Sequence, residues 1–174
     1  CDIVARRGGG PVSRDGRILG PSLLNTDRRG EEYLPLLEQS VLPEHFYRIS
    51  GNIPGNRFSL PKLMWIRDHE PDLYQRAFKF LPWASFVAFM LGAEPAVDYS
   101  LANRTLLFDI NRCAWSGEIA HTAGIALEKL PAPVPSGTGI GAVSRAAAEA
   151  TGLRHGTAIV AGAHDQCATA LGCG

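Results

Sequence analysis

Asp165 is the residue whose type and position most favour chemistry. It directly follows residues 157–163, a continuous run of small and apolar residues that predicts a buried strand. Open α/β sheets bind ligands at the carboxyl ends of their strands, where a carboxylate can accept a proton from a hydroxyl or hold a metal. The same position also suits an aspartate that caps a helix, and spacing alone slightly favours this structural role.

His164, which precedes Asp165, suggests a His–Asp dyad or a metal site. Adjacent residues of a strand point to opposite faces, so we expect the two side chains not to converge. A packed or exposed histidine is the favoured interpretation, and a metal hydrolase built on the pair remains an alternative function. The five histidines and four cysteines lack ligand spacing, so the sequence predicts no metal site and no disulfide framework.

Two further segments have both a functional and a structural interpretation. Residues 136–141, SGTGIG, suggest a phosphate loop, but the Lys of a P-loop and the glycine spacing of a dinucleotide fingerprint are missing. Prolines at 131, 133 and 135 favour a plain connector. The segment Asp27-Arg28-Arg29 could bind an anion or a polyol. Adjacent arginines at the start of a helix are, however, more often solvated or ion-paired.

The elements that position these residues are predicted to alternate between helices and short strands, which indicates an α/β class. Apolar spacing and capping residues, with Ser59 and Ser116 as predicted caps, indicate helices over the following residues: 28–39, 59–70, 72–76, 82–91, 117–123 and 144–151. Residues 106–108 and 157–163 are predicted strands, and residues 3–4 and 18–24 suggest a loose hairpin. Residues 50–57, 94–104 and 131–141 are predicted loops.

Composition excludes several classes of function. The 174 residues carry 17 Lys and Arg against 17 Asp and Glu, so we expect neither a nucleic acid nor a membrane as partner. The longest apolar stretch, residues 80–91, is shorter than the roughly 20 residues that a bilayer helix needs. Reduced thiols and the lack of a signal sequence predict a cytoplasmic protein, and the oligomeric state is left open, with a homodimer allowed.

Three stretches, in this order and at this spacing, resemble the FGGY family of carbohydrate kinases. The first is residues 58–71, FSLPKLMWIRDHEP. The second is residues 98–109, DYSLANRTLLFD, and the third is residues 156–174, GTAIVAGAHDQCATALGCG. The resemblance covers essentially the whole chain. It implies a transferase that phosphorylates a carbohydrate hydroxyl, and xylulokinase-like members are the most similar.

The resemblance also implies site residues. The catalytic aspartate of the family carries over onto Asp165, which would also bind substrate. The following residue contacts the sugar, and here it is Gln166, where xylulokinases often have Asn. The substrate arginine precedes a Thr-Gly-Asn motif, which matches Arg48 before Ser50-Gly51-Asn52. No residue for binding the cofactor is assigned.

The fold implied by the resemblance is a ribonuclease H-like lobe of the actin and hexokinase type, with a mixed sheet flanked by helices. Residues 1–174 would form a partial N-terminal, sugar-binding domain that is incomplete at both ends. Its partners would be a sugar or polyol and the missing C-terminal, nucleotide-binding lobe of the same enzyme. ATP and Mg²⁺ would serve the intact enzyme, and the fragment alone would be inactive. The alternative is a non-catalytic polyol-binding or regulatory module without a nucleotide lobe.

Overall fold

The chain folds into short helices and shorter strands. The computed structural model describes residues 10–174, so the predicted strand at residues 3–4 lies outside the described residues. The α-helices are α1 (Leu34–Ser40), α2 (Pro43–Ser50), α3 (Ser59–His69), α4 (Pro71–Arg76), α5 (Trp83–Leu91), α6 (Tyr99–Asn103), α7 (Gly117–Ala123), α8 (Arg145–Thr151) and α9 (Asp165–Cys173). The 3₁₀ turns are Glu31–Tyr33 and Leu127–Lys129.

The strands form two-stranded sheets, both parallel and antiparallel. They are β1 (Gly10–Val12), β2 (Lys79–Leu81), β3 (Ala96–Asp98), β4 (Phe108–Asp109), β5 (Ala114–Trp115), β6 (Ala132–Val134), β7 (Gly139–Ala142) and β8 (Ala158–Val160). β3 pairs with β6 in parallel, whereas β1 with β2, β4 with β5, and β7 with β8 are antiparallel. Helices with both kinds of pairing confirm the predicted mixed α/β class.

Local sequence signals account for several helix boundaries. Ser116 accepts a hydrogen bond from the Ile119 N–H at 3.2 Å, so the predicted cap of α7 is confirmed. Ser144, predicted as the first residue of a helix, is instead the cap of α8 and accepts the Ala147 N–H at 3.2 Å. The predicted cap at Ser59 is wrong, because Phe58 occupies the cap position and Ser59 is the first residue of α3.

Three segments differ from the prediction. Residues 28–39 form a 3₁₀ turn followed by α1, because Pro35 starts a helix more readily than it continues one. Residues 94–104 hold β3 and α6, and residues 131–141 hold β6 and part of β7, so neither is a plain loop. The predicted buried strand over residues 157–163 reduces to β8, where Ile159 is buried but Val160 is 53% exposed.

The main hydrophobic core surrounds α3. Its largest fully buried members include Phe46, Phe58, Leu63 and Phe80. The same core includes Ile119, Ala120 and Ala123 of α7, so it packs that helix against the first half of the described chain. Within residues 10–174, no helix has both the length and the apolar character needed to cross a bilayer.

Two lysines join residues 75–79, which lead into β2, to the second 3₁₀ turn and the residue after it. The Lys79 ammonium donates to the carbonyl oxygens of Glu128 and Leu130, both at 2.7 Å. In return, the Lys129 ammonium donates to the carbonyl oxygens of Gln75 at 3.1 Å and Ala77 at 2.8 Å. Burial lowers the pKa of Lys79. We call this arrangement the lysine clasp.

Candidate functional site

Asp165 is the first residue of α9 and presents its carboxylate to solvent. The side chain is 79% exposed, and Oδ1 accepts a hydrogen bond from the Gln166 N–H at 2.9 Å. The helix cap is His164, which makes no side-chain capping bond. The structural interpretation of Asp165 as a capping residue is therefore wrong, and its carboxylate is accessible to a ligand.

Two cavities meet at Asp165. The larger, of about 760 Å³, has a polar wall that includes Asn25, Ser100, Asn103, Gln166 and Cys167. The smaller, of about 260 Å³, is lined mainly by apolar groups, among them Pro82, Trp83, Ala84 and Leu101. Arg104, His164 and Asp165 line both cavities and so stand between them. The larger volume is within the range of sites for small molecules.

His164 and Asp165 converge, contrary to the prediction. His164 Nδ1 lies 3.2 Å from Asp165 Oδ1, and the imidazole is 18% exposed. The strand argument fails because β8 ends at Val160, so residues 161–164 do not alternate in direction as a strand would. In the described part of the chain, no cluster of three or more metal-ligating side chains surrounds the pair.

A hydrogen-bonded chain fixes the backbone just before Asp165. The Ser100 hydroxyl accepts the His164 N–H at 2.8 Å and donates to Asp98 Oδ1. Asp98 is buried, and the same oxygen caps α6 by accepting the N–H groups of Ser100 at 2.9 Å and Leu101 at 3.1 Å. Ser100 therefore connects the start of α6 to the start of α9.

Arg104 is a site residue that the sequence analysis missed. Its guanidinium carbon lies 4.6 Å from the centre of the Phe58 ring, and Nη1 makes a long contact of 3.5 Å with Asn52 Oδ1. Asn52 also donates to Asn103 Oδ1 at 3.0 Å. The signal that was available is remote in sequence: Asn52, which ends the Ser50-Gly51-Asn52 motif, contacts Arg104 from 52 positions away.

Arg48 lies apart from Asp165 and Gln166. It is exposed in the last turn of α2 and lines a third pocket, of about 440 Å³, with Pro43, Glu44, Tyr47 and Ile53. None of these residues lines either cavity at Asp165. Asn52, not Arg48, connects this motif to the cavity wall, and a role for Arg48 in substrate binding stays a prediction.

The remaining motifs have structural roles. Hydrogen bonds from Arg29 lower the pKa of Asp27 to about 2, and Arg28 pairs with Glu31, which confirms the ion-paired interpretation of that segment. Residues 136–138 form a turn that leads into β7, and residues 139–141 belong to that strand. Cys113, Cys167 and Cys173 are free and exposed thiols.

Comparison with known proteins places this geometry in a family. Residues 4–172 match the model of the "FGGY family of carbohydrate kinases, N-terminal domain". The chain is 30% identical to xylulose kinase of Bacillus subtilis over 94% of its length and 32% of the relative. It is 34% identical to autoinducer-2 kinase of Salmonella paratyphi B over 79% of its length and 25% of the relative.

A solved structure agrees with both sequence relatives. The crystal structure of xylulose kinase from Rhodospirillum rubrum superposes with a TM-score of 0.88 at 27% identity, over 95% of this chain and 34% of that one. The chain thus spans about a third or less of the length of these relatives. The match over nearly the whole chain, with the predicted ribonuclease H-like fold, means that the chain belongs to the FGGY family of carbohydrate kinases.

Proposed function

We propose that this chain is the sugar-binding lobe of an ATP-dependent carbohydrate kinase. The activity is transfer of the γ-phosphate of ATP to a hydroxyl of a sugar or polyol, with a xylulose-like ketose as the first candidate. The observation that carries the proposal is the exposed carboxylate of Asp165, at the start of a helix and between two cavities. Membership of a carbohydrate kinase family supports it.

In the proposed mechanism, Asp165 orients the acceptor hydroxyl and takes its proton as the oxygen attacks phosphorus. General-base catalysis of this kind contributes roughly 10²- to 10⁴-fold to the rate. Gln166 lines the larger cavity and offers an amide to the sugar hydroxyls. ATP supplies the phosphoryl group, and positioning with charge neutralisation provides most of the remaining acceleration.

Binding of Mg²⁺ and the nucleotide is assigned to a second lobe of the same enzyme. Residues 10–174 contain no cluster of three or more metal-ligating side chains, so the proposal gives the metal and the nucleotide to residues outside this chain. The length of the relatives supports a C-terminal lobe beyond this domain. The proposed location is the cytoplasm, where ATP is available and the exposed thiols stay reduced. Assembly as a homodimer completes the proposal.

A coupled ADP-release assay tests the proposed activity. A protein that carries this chain together with a nucleotide lobe is assayed against xylulose, ribulose, glycerol, gluconate and a deoxy-ketose. We expect ATP-dependent turnover with the highest kcat/KM for the xylulose-like ketose. Sugar binding without ADP release by any acceptor would instead support the alternative of a non-catalytic polyol-binding module.

Replacing Ser100 with Ala is expected to lower kcat by roughly tenfold, because it frees the backbone that places Asp165, and misplacement by about 1 Å can cost up to 10²-fold. Ser100→Thr keeps the hydroxyl and should restore most of the activity. Ser144→Ala also removes one hydroxyl bond to a backbone N–H, but Ser144 lines neither cavity at Asp165. Equal kcat values for Ser100→Ala and Ser144→Ala in steady-state assays would contradict a positioning role.

A further inference from the structure

Arg104 brings an unpaired positive charge to the site. Five other arginines of the described residues pair with carboxylates, as Arg29 does with Asp27 at 2.6 Å and Arg67 with Asp68 at 2.5 Å. Among residues 10–174, no carboxylate lies within ion-pair distance of Arg104, and its buried Nε has no hydrogen-bond partner. Leaving a buried charged donor without an acceptor is costly in the free protein.

The surroundings hold this guanidinium at the site. The Phe58 ring covers one of its faces and Asn52 contacts one nitrogen, so the charged plane is held without being neutralised. Arg104 lines both cavities with Asp165, yet the two side chains form no ion pair within the described structure. A ligand can therefore lie against a cation on one side and a proton-accepting carboxylate on the other.

The smaller cavity carries a second unsatisfied donor. Trp83 lines it beside Arg104, and the buried Trp83 Nε1 also has no hydrogen-bond partner in the described residues. Two residues with unsatisfied donors in the lining of one cavity favour a ligand group that is rich in oxygen. The planar fork of Arg matches the two oxygens of a carboxylate or of a phosphoryl group.

We propose that Arg104 is a substrate-binding residue that holds an oxyanion beside Asp165. This inference rests on the proposed function and adds to it the charge of the bound group. The oxyanion has two sources that share this chemistry. It is either the carboxylate of an acidic sugar acceptor or the phosphoryl group that is being transferred.

The test uses Arg104→Gln, which removes the charge, and Arg112→Gln as the matched control. Arg112 is 83% exposed, pairs with Asp109 at 3.8 Å and lines neither cavity. Calorimetry measures binding of D-gluconate, D-glucitol and inorganic phosphate to the chain. Steady-state assays of the two-lobed enzyme measure kcat and both KM values with an acidic and a neutral acceptor.

The expected losses distinguish the two sources. If the oxyanion is a carboxylate, Arg104→Gln weakens gluconate binding by about 10- to 100-fold and leaves glucitol binding within about twofold. If it is the phosphoryl group, the same variant weakens phosphate binding or lowers kcat by about 10- to 100-fold with both acceptors, at unchanged acceptor KM. Either pattern, absent in Arg112→Gln, supports the proposal.

The proposal is overturned if Arg104→Gln matches Arg112→Gln in all these measurements. Should Arg104→Gln fail to fold, Arg104→Lys decides, since it keeps the charge and loses the planar fork. A loss of several-fold in oxyanion binding or kcat then supports the proposal, and no loss overturns it. Failure of every acceptor to give ADP would refute the kinase activity, while the binding measurements would still decide on Arg104.

Discussion

Replacing Asp165 with Asn is expected to lower kcat by roughly 10²- to 10⁴-fold while sugar affinity stays within a few-fold. The amide has the same shape, and its oxygen can still accept the Gln166 N–H that Oδ1 accepts now, at 2.9 Å. It cannot take the proton of the attacking hydroxyl, so the loss falls on the chemical step. Because the side chain is 79% exposed, the change should leave the fold intact.

A matched control for Asp165→Asn is Asp72→Asn. Asp72 also lies in the first turn of a helix, α4, and it is exposed and lines neither cavity at Asp165. Both variants are measured by ADP release for kcat and by calorimetry for sugar binding. Normal turnover of Asp165→Asn in the two-lobed enzyme would show that Asp165 is not the general base.

Replacing Gly30 with Ala is expected to lower the free energy of unfolding by about 2–5 kcal/mol. Gly30 has φ of +93°, a conformation that costs other residues about 1–2 kcal/mol. An added Cβ would lie 2.4 Å from the carbonyl oxygen of Pro61 in α3. That oxygen is backbone inside the core helix and cannot move aside, so overpacking adds about 1–3 kcal/mol.

Gly137→Ala separates the two causes. Gly137 has φ of +86°, but an added Cβ there meets no atom within 4 Å. This variant should therefore lose only the conformational part, about 1–2 kcal/mol. Urea unfolding of the chain measures both variants. Equal losses would show that the approach of residue 30 to α3 is unimportant.

Helices with strong boundary signals could be predicted from the sequence. Ser116 and Ser144 are capping residues, and Gly92 follows α5, so the positions of α5, α7 and α8 agree with the prediction. These signals are local and act within one turn of helix. The same local reasoning would also have found α6, because Asp98 caps it in a segment that was predicted as a loop.

Short paired strands could not be predicted in the same way. β3 and β6 have three residues each, too few to show a period of two, and β6 contains Pro133, which argues against a strand. Their pairing joins residues 96–98 to residues 132–134. Only the packed chain supplies the partner that makes either segment a strand.

The site was partly predictable for a related reason. Asp165 follows an apolar run, which local sequence reveals, and the family resemblance assigned it a role. The contact of His164 with Asp165 depends on where β8 ends, and the sequence predicted that end three residues too late. Arg104 depends on Phe58 and Asn52, which are remote in sequence, so no local pattern pointed to it.

The lysine clasp has a consequence for how the sequence can drift. Its four acceptors are main-chain carbonyls of Gln75, Ala77, Glu128 and Leu130, a group that every amino acid supplies. The side chains at these four positions can therefore be exchanged without removing an acceptor. The side-chain requirement of the clasp resides in two ammonium groups, so acylation of Lys79 and Lys129 would remove their charge and weaken these four bonds. The Tyr74 hydroxyl, which accepts the Ala126 N–H at 3.0 Å, would still join the two segments.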